Sequence, residues 1–290
     1  MGTYFYKTTG TETPSTTSDP LKAPIKAAGS DGNQVEFFSE SAADFLDVVF
    51  CIDTTGSMSA YIERSKKVIT NMINSFSQNE EKPMFGIVAY RDHPPQESSY
   101  ITHIHQLSNA EEALKFVKSL NAQGGGDTPE AVLQGLHDSV TKIKWRNMTV
   151  QDKTYKKLVI HVGDAPPHGK EYHNGDDHWP KGCPSGIKLM GLAETMNKNV
   201  IYYHFCRLNT TTDTMCEKFK KNFNNFELID LVVNQANIAE QKKEFESYVA
   251  ACDVKEYIGK DLACMSMQEQ NECLYEAKVT CAVFKNMKRK

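Results

Sequence analysis

Oxygen-bearing side chains directly follow an apolar segment in the first quarter of the chain. Asp53, Thr55 and Ser57 come immediately after the run 46–52, whose length and composition are typical of a buried strand. A carboxylate and two hydroxyls at alternate positions offer the hard oxygen ligands that Mg²⁺ prefers. Ligands of parallel sheets bind at the carboxyl ends of the strands. The segment therefore predicts a divalent-cation site at that edge of a sheet.

Two later segments could supply further ligands to the same site. Residues 124–130 have the sequence Gly-Gly-Gly-Asp-Thr-Pro-Glu, and Asp164 follows a second apolar run, 158–162. Mg²⁺ takes about six oxygens and gives up its waters reluctantly. Two hydroxyls, one ligand from residues 124–130 and waters held by carboxylates leave one position for an outside group. An Asp or Glu of a partner protein is the natural group to fill it.

The elements that must position these residues follow an alternating strand and helix pattern. Apolar runs typical of strands are separated by segments with the apolar spacing of helices. The predicted strands are 46–52, 84–90, 100–106, 158–162, 200–206 and 226–233, and the predicted helices are 60–76, 108–120, 129–143, 185–197, 212–222 and 238–252. Thr128 is the predicted N-cap of the third helix and Pro129 its first residue. The pattern predicts an α/β fold with a mostly parallel central sheet and helices on both faces.

The chain divides into three regions by composition. Residues 1–40 are rich in Thr, Ser, Gly, Pro and Lys, which predicts a disordered or extended tail. Residues 41–252 carry the α/β pattern. Residues 253–290 are compatible with a helix that has one apolar face, and such a face is expected to pack on the domain or on a partner.

Bulk properties predict a cytoplasmic protein. The net charge of −4 and the pI of about 6.2 give no reason to expect nucleic acid or an anionic membrane as a partner. No apolar run approaches the roughly 20 residues of a membrane-spanning helix, and the N-terminus lacks the apolar core of a signal peptide. The eight cysteines have no close paired spacing, so reduced thiols are expected.

Three other chemistries fit the residues less well. A zinc site is disfavoured because its candidate ligands are irregularly spaced in a loop; they are His168, His173, His178 and Cys183. The glycines 124–126 lack the Lys-Ser/Thr that completes a phosphate-binding P-loop. Neither Ser57 nor Cys183 has a recognisable partner base, which argues against nucleophilic catalysis.

The ordered motifs resemble a known family. Residues 53–57 match the Asp-x-Ser/Thr-x-Ser signature of von Willebrand factor A (VWA) domains, whose metal-ion-dependent adhesion site binds Mg²⁺ or Mn²⁺. The similarity extends to Ala-Tyr-Arg-Asp-His-Pro-Pro at 89–95, to 124–130, to Asp-Ala-Pro-Pro-His-Gly at 164–169 and to Gly-Cys-Pro at 182–184. These motifs occur in the same order as in the VWA domains that are associated with α-kinases. The resemblance implies a Rossmann-like fold for residues 41–252.

The resemblance also implies roles for single residues. Thr55 and Ser57 would bind the cation directly, and Asp53 and Asp164 would bind it directly or through water. We call residues 124–130 the middle loop, and its ligand would be Thr128 by analogy with many VWA domains.

Two other residues of the middle loop remain alternatives. They are Asp127 and Glu130, the latter by analogy with integrin β domains. The accessory cation site of some integrin β domains is expected to be absent, because residues 59–61 are Ser, Ala and Tyr.

We therefore predict a non-enzymatic protein-binding module that uses Mg²⁺ or Mn²⁺ to bind an acidic residue of a partner. One alternative is a structural component of a large intracellular, cytoskeleton-associated assembly, held through residues 1–40 and 253–290. A weaker alternative is a subunit of a Mg²⁺-dependent phosphotransferase. An α-kinase catalytic domain needs far more chain than residues 253–290, so kinase activity is not implied.

Overall fold

The computed structural model describes residues 45–77, 83–146 and 155–231. All of them belong to one of the two compact units of the chain, Glu40–Lys290. The predictions for residues 1–40, for the helix 238–252 and for the tail 253–290 lie outside the described residues. No helix in the described part combines the length and the apolar character needed to cross a membrane.

Six strands form one sheet in the described part of the chain. They are β1 (Phe45–Asp53), β2 (Met84–Tyr90), β3 (Thr102–Ser108), β4 (Tyr155–Gly163), β5 (Ile201–Arg207) and β6 (Phe226–Asp230). Their order across the sheet is β3-β2-β1-β4-β5-β6, and only the pairing of β2 with β3 is antiparallel. The predicted α/β fold with a mostly parallel sheet is confirmed.

Helices cover both faces of this sheet. They are α1 (Ile62–Ser77), α2 (Ala110–Ser119), α3 (Val132–Thr141), α4 (Leu189–Lys198) and α5 (Asp213–Asn222). Alternate residues of β1 pack on opposite faces: Phe50 lies in the core shared with α1 and α2, and Cys51 lies in the core shared with α3, α4 and α5. Burial on both faces explains why the central strands are nearly continuous apolar runs.

The predicted start of the third helix is wrong. Helix α3 begins at Val132 with Ala131 as its N-cap, not at Pro129 with Thr128 as its N-cap. Glu130 instead pairs with the loop after β4, donating its backbone N–H to the Pro166 carbonyl at 3.0 Å and forming a bridge with Pro167. Long-range backbone pairing therefore overrides the local helix-start signal.

Smaller differences concern the neighbouring elements. Ser108 is the last residue of β3, and the N-cap of α2 is Asn109, whose side chain accepts a hydrogen bond from the Glu112 N–H at 3.0 Å. Strand β3 is shifted by two residues from the prediction, and α4 begins four residues later than predicted.

Gly135 allows α3 to approach the sheet closely. A Cβ at this position would lie 2.6 Å from Tyr90 Cδ1 and 3.2 Å from Cys51 Sγ. Gly135→Ala is therefore expected to lower the free energy of unfolding by about 1–3 kcal/mol, the usual cost of overpacking. Gly191→Ala in α4 is the matched control, because a Cβ there meets nothing within 4 Å. Urea denaturation of both variants measures the difference, and equal stabilities would contradict the proposed close contact.

Candidate metal centre

The end of β1 holds its oxygen ligands in a fixed arrangement. Asp53 is fully buried, and its Oδ1 accepts hydrogen bonds from the Thr55 N–H at 2.9 Å and from Thr55 Oγ1 at 2.6 Å. Thr54 Oγ1 turns the other way and donates to the Tyr90 carbonyl at 2.9 Å, which anchors the loop to β2. Side chains alternate in direction along the extended backbone, so Thr54 anchors the loop while Asp53 and Thr55 point into the site.

Ser57 and Asp164 continue the same group of oxygens. Thr55 Oγ1 lies 3.2 Å from Ser57 Oγ, and Ser57 Oγ donates to Asp164 Oδ1 at 2.9 Å. Asp164 directly follows β4, the neighbour of β1 in the sheet. Asp164 is mostly buried and Ser57 is exposed. The structure therefore brings together Asp53, Thr55, Ser57 and Asp164, with an opening to solvent on the serine side.

The glycine-rich middle loop lies directly against the β1 loop. The Gly56 N–H donates to the Gly124 carbonyl at 2.9 Å, and the Gln123 N–H donates to the Thr54 carbonyl at 3.0 Å. Gly124 and Gly125 have φ values of +80° and +78°, a backbone conformation that favours glycine. A Cβ on Gly124 would also overlap Glu97 Oε2. These two glycines are required by both the backbone conformation and the available space.

The middle loop places Glu130, rather than Thr128, among the acidic side chains. Glu130 is buried, and a Cβ on Gly125 would lie 2.8 Å from Glu130 Oε1 and 3.5 Å from Thr55 Cβ. The Glu130 carboxylate therefore lies beside the same part of the loop as Thr55. Thr128 is exposed to solvent. The ligand role of each residue stays a prediction, but the packing places Glu130 with the group.

Asp127 has different neighbours. Its Oδ2 accepts a hydrogen bond from the His178 N–H at 2.7 Å, and burial and the nearby Asp92 raise the pKa of its carboxyl. Asp92 is fully buried after β2. Asp92 belongs to one of the recognised sequence motifs, yet sequence reasoning gave it no role, because nothing local indicates its distant partners.

His168 connects the loop after β4 to the loop after β2. Its Nε2 lies 2.6 Å from Asp92 Oδ1, and its Nδ1 lies 2.8 Å from Asp177 Oδ1. Burial opposes a charge on the ring, but the hydrogen bonds to the two aspartates prevail and raise the pKa of His168. We call Asp92, His168 and Asp177 the histidine clamp. It fixes the loop after β4 to the loop after β2.

The clamp accounts for one of the candidate zinc ligands, His168. Ligand atoms of Asp127, His168 and Asp177 lie within 4.8 Å of one another and could surround an ion. Both ring nitrogens of His168 already face carboxylate oxygens, however. Zinc binding there would therefore require one of those hydrogen bonds to be broken.

Cys183 and His93 do not form an activated nucleophile. Cys183 Sγ lies 3.5 Å from His93 Nε2. Burial raises the pKa of the Cys183 thiol, whereas burial and the nearby His168 lower the pKa of His93 to about 4. A protonated thiol beside a neutral imidazole lacks the thiolate that nucleophilic catalysis requires.

Electrostatics indicate a shortage of positive charge at the site. Burial and the neighbouring Asp164 raise the pKa of Asp53 to about 7. Burial raises the pKa of Glu130 to about 11, with contributions from four carboxylates: Asp53, Asp92, Asp127 and Asp164. Asp53 Oδ2 and Glu130 Oε2 are buried without a hydrogen-bond partner among the described residues. A cation would satisfy both unpaired oxygens and offset the mutual repulsion of the carboxylates.

A buried polar chain forms the floor of the site. Tyr90 Oη lies 2.8 Å from His161 Nε2, and His161 Nδ1 lies 2.8 Å from Tyr203 Oη. A Cβ on Gly163 would lie 2.7 Å from Tyr90 Oη and 3.5 Å from Asp53 Cβ, so this chain passes directly beneath Asp53. Burial lowers the pKa of His161 to about 3 and keeps the ring neutral. The one sequence signal for this series of hydrogen bonds is His161, a histidine within an apolar strand.

Comparison with known proteins agrees with this architecture. A family model described as von Willebrand factor A domain matches residues 47–147. Alpha-protein kinase vwkA of Dictyostelium discoideum is 33% identical over 191 residues, covering 65% of this chain and 29% of the kinase. Residues 47–147 therefore carry the sequence pattern of a VWA domain. The predicted resemblance to VWA domains associated with α-kinases is confirmed.

A further relative has lower sequence identity. The putative ariadne-like RING finger protein R811 of Acanthamoeba polyphaga mimivirus is 27% identical over 165 residues, covering 54% of this chain and 15% of R811. The chain spans less than a third of the length of either curated relative. VWA domains are typically protein-interaction modules and are generally non-enzymatic.

Two solved structures match part of this chain. The crystal structure of the SpRpn10 VWA domain matches 66% of this chain and 89% of its own, with 12% identity and a TM-score of 0.45. The pilus adhesin SpaC from Lactobacillus rhamnosus GG, in its open conformation, matches 72% of this chain and 30% of its own, with 14% identity and a TM-score of 0.46.

Proposed function

We propose that this VWA domain is a non-enzymatic protein-binding module that holds Mg²⁺ or Mn²⁺ at Asp53, Thr55, Ser57 and Asp164. An Asp or Glu of a partner protein would complete the coordination. The observation that carries this proposal is the continuous series of oxygen contacts, 2.6–3.2 Å long, that joins these four side chains across two loops.

The chemistry of the donor set fits a hard cation. Each hydroxyl proton is donated to a carboxylate, which leaves lone pairs on Thr55 Oγ1 and Ser57 Oγ free for an ion. The unpartnered Asp53 Oδ2 adds a charged donor. All of these donors are oxygens, which suits Mg²⁺ or Mn²⁺ better than zinc. Bound there, the cation would supply the positive charge that attracts a partner's carboxylate.

We assign the middle-loop contribution to Glu130. Its buried carboxylate lies beside Gly125 and Thr55, whereas Thr128 is exposed. Asp127 is not assigned to this site, because its carboxylate is held by the His178 N–H and faces Asp92. Glu130 would act either as a direct ligand or by holding a water on the ion.

The phosphotransferase alternative receives less support. Gly124 and Gly125 adjoin the carboxylates of Glu97 and Glu130 rather than a lysine. Negative charge at that position would repel a phosphate group. The structural-assembly alternative depends on residues 1–40 and 253–290, which lie outside the described residues. The cytoplasmic, cytoskeleton-associated location likewise remains an expectation from the sequence.

A capture experiment tests the proposed function. Immobilised full chain is expected to retain protein partners in Mg²⁺ and to lose them in EDTA, and Ser57→Ala should lose them even in Mg²⁺. Ser119→Ala is the matched control, because Ser119 is an exposed serine at the end of α2. Mass spectrometry identifies the retained proteins. Capture that withstands both EDTA and Ser57→Ala would favour contacts through the tails.

A further inference from the structure

Three fully buried side chains lie in series beneath the candidate metal centre. Tyr90 Oη lies 2.8 Å from His161 Nε2, and His161 Nδ1 lies 2.8 Å from Tyr203 Oη. A Cβ on Gly163 would lie 2.7 Å from Tyr90 Oη and 3.5 Å from Asp53 Cβ, which places the Tyr90 hydroxyl close to Asp53. We propose that Tyr90 is a positioning residue of the cation site: His161 carries its proton on Nε2, so the Tyr90 hydroxyl donates to the Asp53 carboxylate. This inference rests on the proposed function, in which Asp53 is a cation ligand.

The number of protons in the series leaves one hydroxyl free to donate elsewhere. Burial lowers the pKa of His161 to about 3, so its ring is neutral, with one N–H and one unprotonated nitrogen. Tyr90 and Tyr203 add one O–H each, which gives three protons for the two hydrogen bonds of the series. Each hydrogen bond holds one proton. The third proton therefore lies on the outer side of Tyr90 or of Tyr203.

The tautomer of His161 decides which hydroxyl is free. With the proton on Nε2, the ring donates to Tyr90 Oη and accepts from the Tyr203 hydroxyl, so the Tyr90 hydroxyl can donate to Asp53. With the proton on Nδ1, the ring donates to Tyr203 Oη and accepts from the Tyr90 hydroxyl. Asp53 then receives no hydrogen bond from Tyr90, and the Tyr203 hydroxyl must find another acceptor.

The surroundings of the two hydroxyls favour the proton on Nε2. On the Tyr90 side, Asp53 Oδ2 is a buried acceptor without a hydrogen-bond partner among the described residues. On the other side, Tyr203 Oη has no second oxygen or nitrogen partner within the described part of the chain. The Tyr203 ring packs on three phenylalanines, which are Phe219, Phe223 and Phe226. Because a buried O–H without an acceptor is unfavourable, the free proton belongs on the Asp53 side.

A hydrogen bond from Tyr90 would hold the Asp53 carboxylate in place for a cation. Burial and Asp164 raise the pKa of Asp53, whereas Thr55 and the Tyr90 hydroxyl oppose that rise. Asp53 Oδ1 is already held by Thr55, so Tyr90 would fix the other half of the carboxylate. Each carboxylate oxygen has two lone pairs, and Oδ2 can therefore accept from Tyr90 and still bind a cation. Tyr90 thus acts through Asp53 and not on the cation itself.

Two tyrosine variants test the proposal, because they remove equivalent hydroxyls from opposite sides of His161. Tyr90→Phe is expected to weaken Mn²⁺ binding to the full chain by about 10- to 100-fold, the usual effect of losing a group that orients a metal ligand. Tyr203→Phe is the matched control. It should change the affinity by less than about threefold, because the proton on Nε2 and the donation from Tyr90 to Asp53 are kept. Titration calorimetry measures both affinities.

Melting in EDTA separates this effect from a loss of folding. Both variants keep a buried aromatic ring and lose one buried hydroxyl that contacts His161. Similar falls in melting temperature are therefore expected for Tyr90→Phe and Tyr203→Phe, although only the first should bind Mn²⁺ weakly.

The ring of His161 provides a second readout that needs no metal. Nitrogen NMR distinguishes the protonated ring nitrogen of a histidine from the unprotonated one. The chain has nine histidines, so the signals of His161 are identified by their absence in His161→Gln. Wild type and Tyr203→Phe, both in EDTA, are expected to carry the proton on Nε2.

The contradicting results are distinct. A proton on Nδ1 in the wild-type chain would overturn the inference, because the Tyr90 hydroxyl would then donate to His161. Unchanged Mn²⁺ affinity in Tyr90→Phe would also overturn it, as would equal weakening in Tyr90→Phe and Tyr203→Phe. These three results refute only the role of Tyr90 when the wild-type chain binds Mn²⁺. No Mn²⁺ binding by wild type would refute the proposed function and the role of Tyr90 with it.

Discussion

Asp53→Asn is expected to weaken Mn²⁺ binding at the proposed site after β1 by about 100-fold while leaving the fold intact. The introduced asparagine keeps an oxygen that accepts from the Thr55 N–H and hydroxyl, so the loop geometry is preserved. The buried Oδ2, which has no partner in the described structure, is replaced by an amide nitrogen that cannot bind a cation. The substitution therefore removes one charged ligand from an otherwise intact site.

The metal-free stability of Asp53→Asn is expected to equal or exceed that of wild type. Burial and Asp164 make the ionised Asp53 unfavourable when no cation is present, and a neutral side chain avoids this cost. Titration calorimetry with Mn²⁺ and melting in EDTA measure the two effects separately.

Asp138→Asn provides the contrasting control for Asp53→Asn. Asp138 is also a fully buried aspartate, but its carboxylate is bonded to Thr102, Gln134 and Lys142. Loss of its charge-assisted hydrogen bonds should cost about 1–3 kcal/mol of stability without affecting Mn²⁺ binding. Wild-type Mn²⁺ affinity in Asp53→Asn would refute the proposed site.

The sequence predicted the position of Asp53 and Asp164 because two simple rules apply to them. Both follow long apolar runs, and such runs are typical of strands buried on both faces. Parallel strands place their carboxyl ends at one edge, so residues after β1 and β4 meet once those strands are neighbours. The hydroxyls of Thr55 and Ser57 then follow from their spacing after Asp53.

The histidine clamp and the course of the middle loop could not be predicted in this way. His168 and Asp92 are 76 residues apart, and nothing in either local sequence specifies their contact. Thr128-Pro129 is a strong local signal for a helix start. The backbone of Glu130 nevertheless pairs with the loop after β4, so α3 begins later and Thr128 is left exposed. In both cases long-range contacts decide the outcome.

Glu130→Gln is expected to weaken Mn²⁺ binding by about 10- to 100-fold, whereas Thr128→Ala should change it by less than about threefold. Glu130 is buried beside Thr55 and within electrostatic range of four other carboxylates, so its charge would help to hold a cation. Thr128 is exposed, and its hydroxyl can be replaced by water at little cost.

Melting in EDTA distinguishes the Glu130 effect from a loss of folding. Glutamine is nearly isosteric with protonated glutamate. Because burial raises the pKa of Glu130 to about 11, folding without a cation requires its carboxylate to take up a proton at pH 7. Glutamine avoids this cost, so the metal-free variant should melt at or above the wild-type temperature. If Thr128→Ala weakened Mn²⁺ binding more than Glu130→Gln, the threonine would be the middle-loop ligand, as the sequence first suggested. The loop would then have to move on binding, because Thr128 lies in solvent while Glu130 lies beside Thr55.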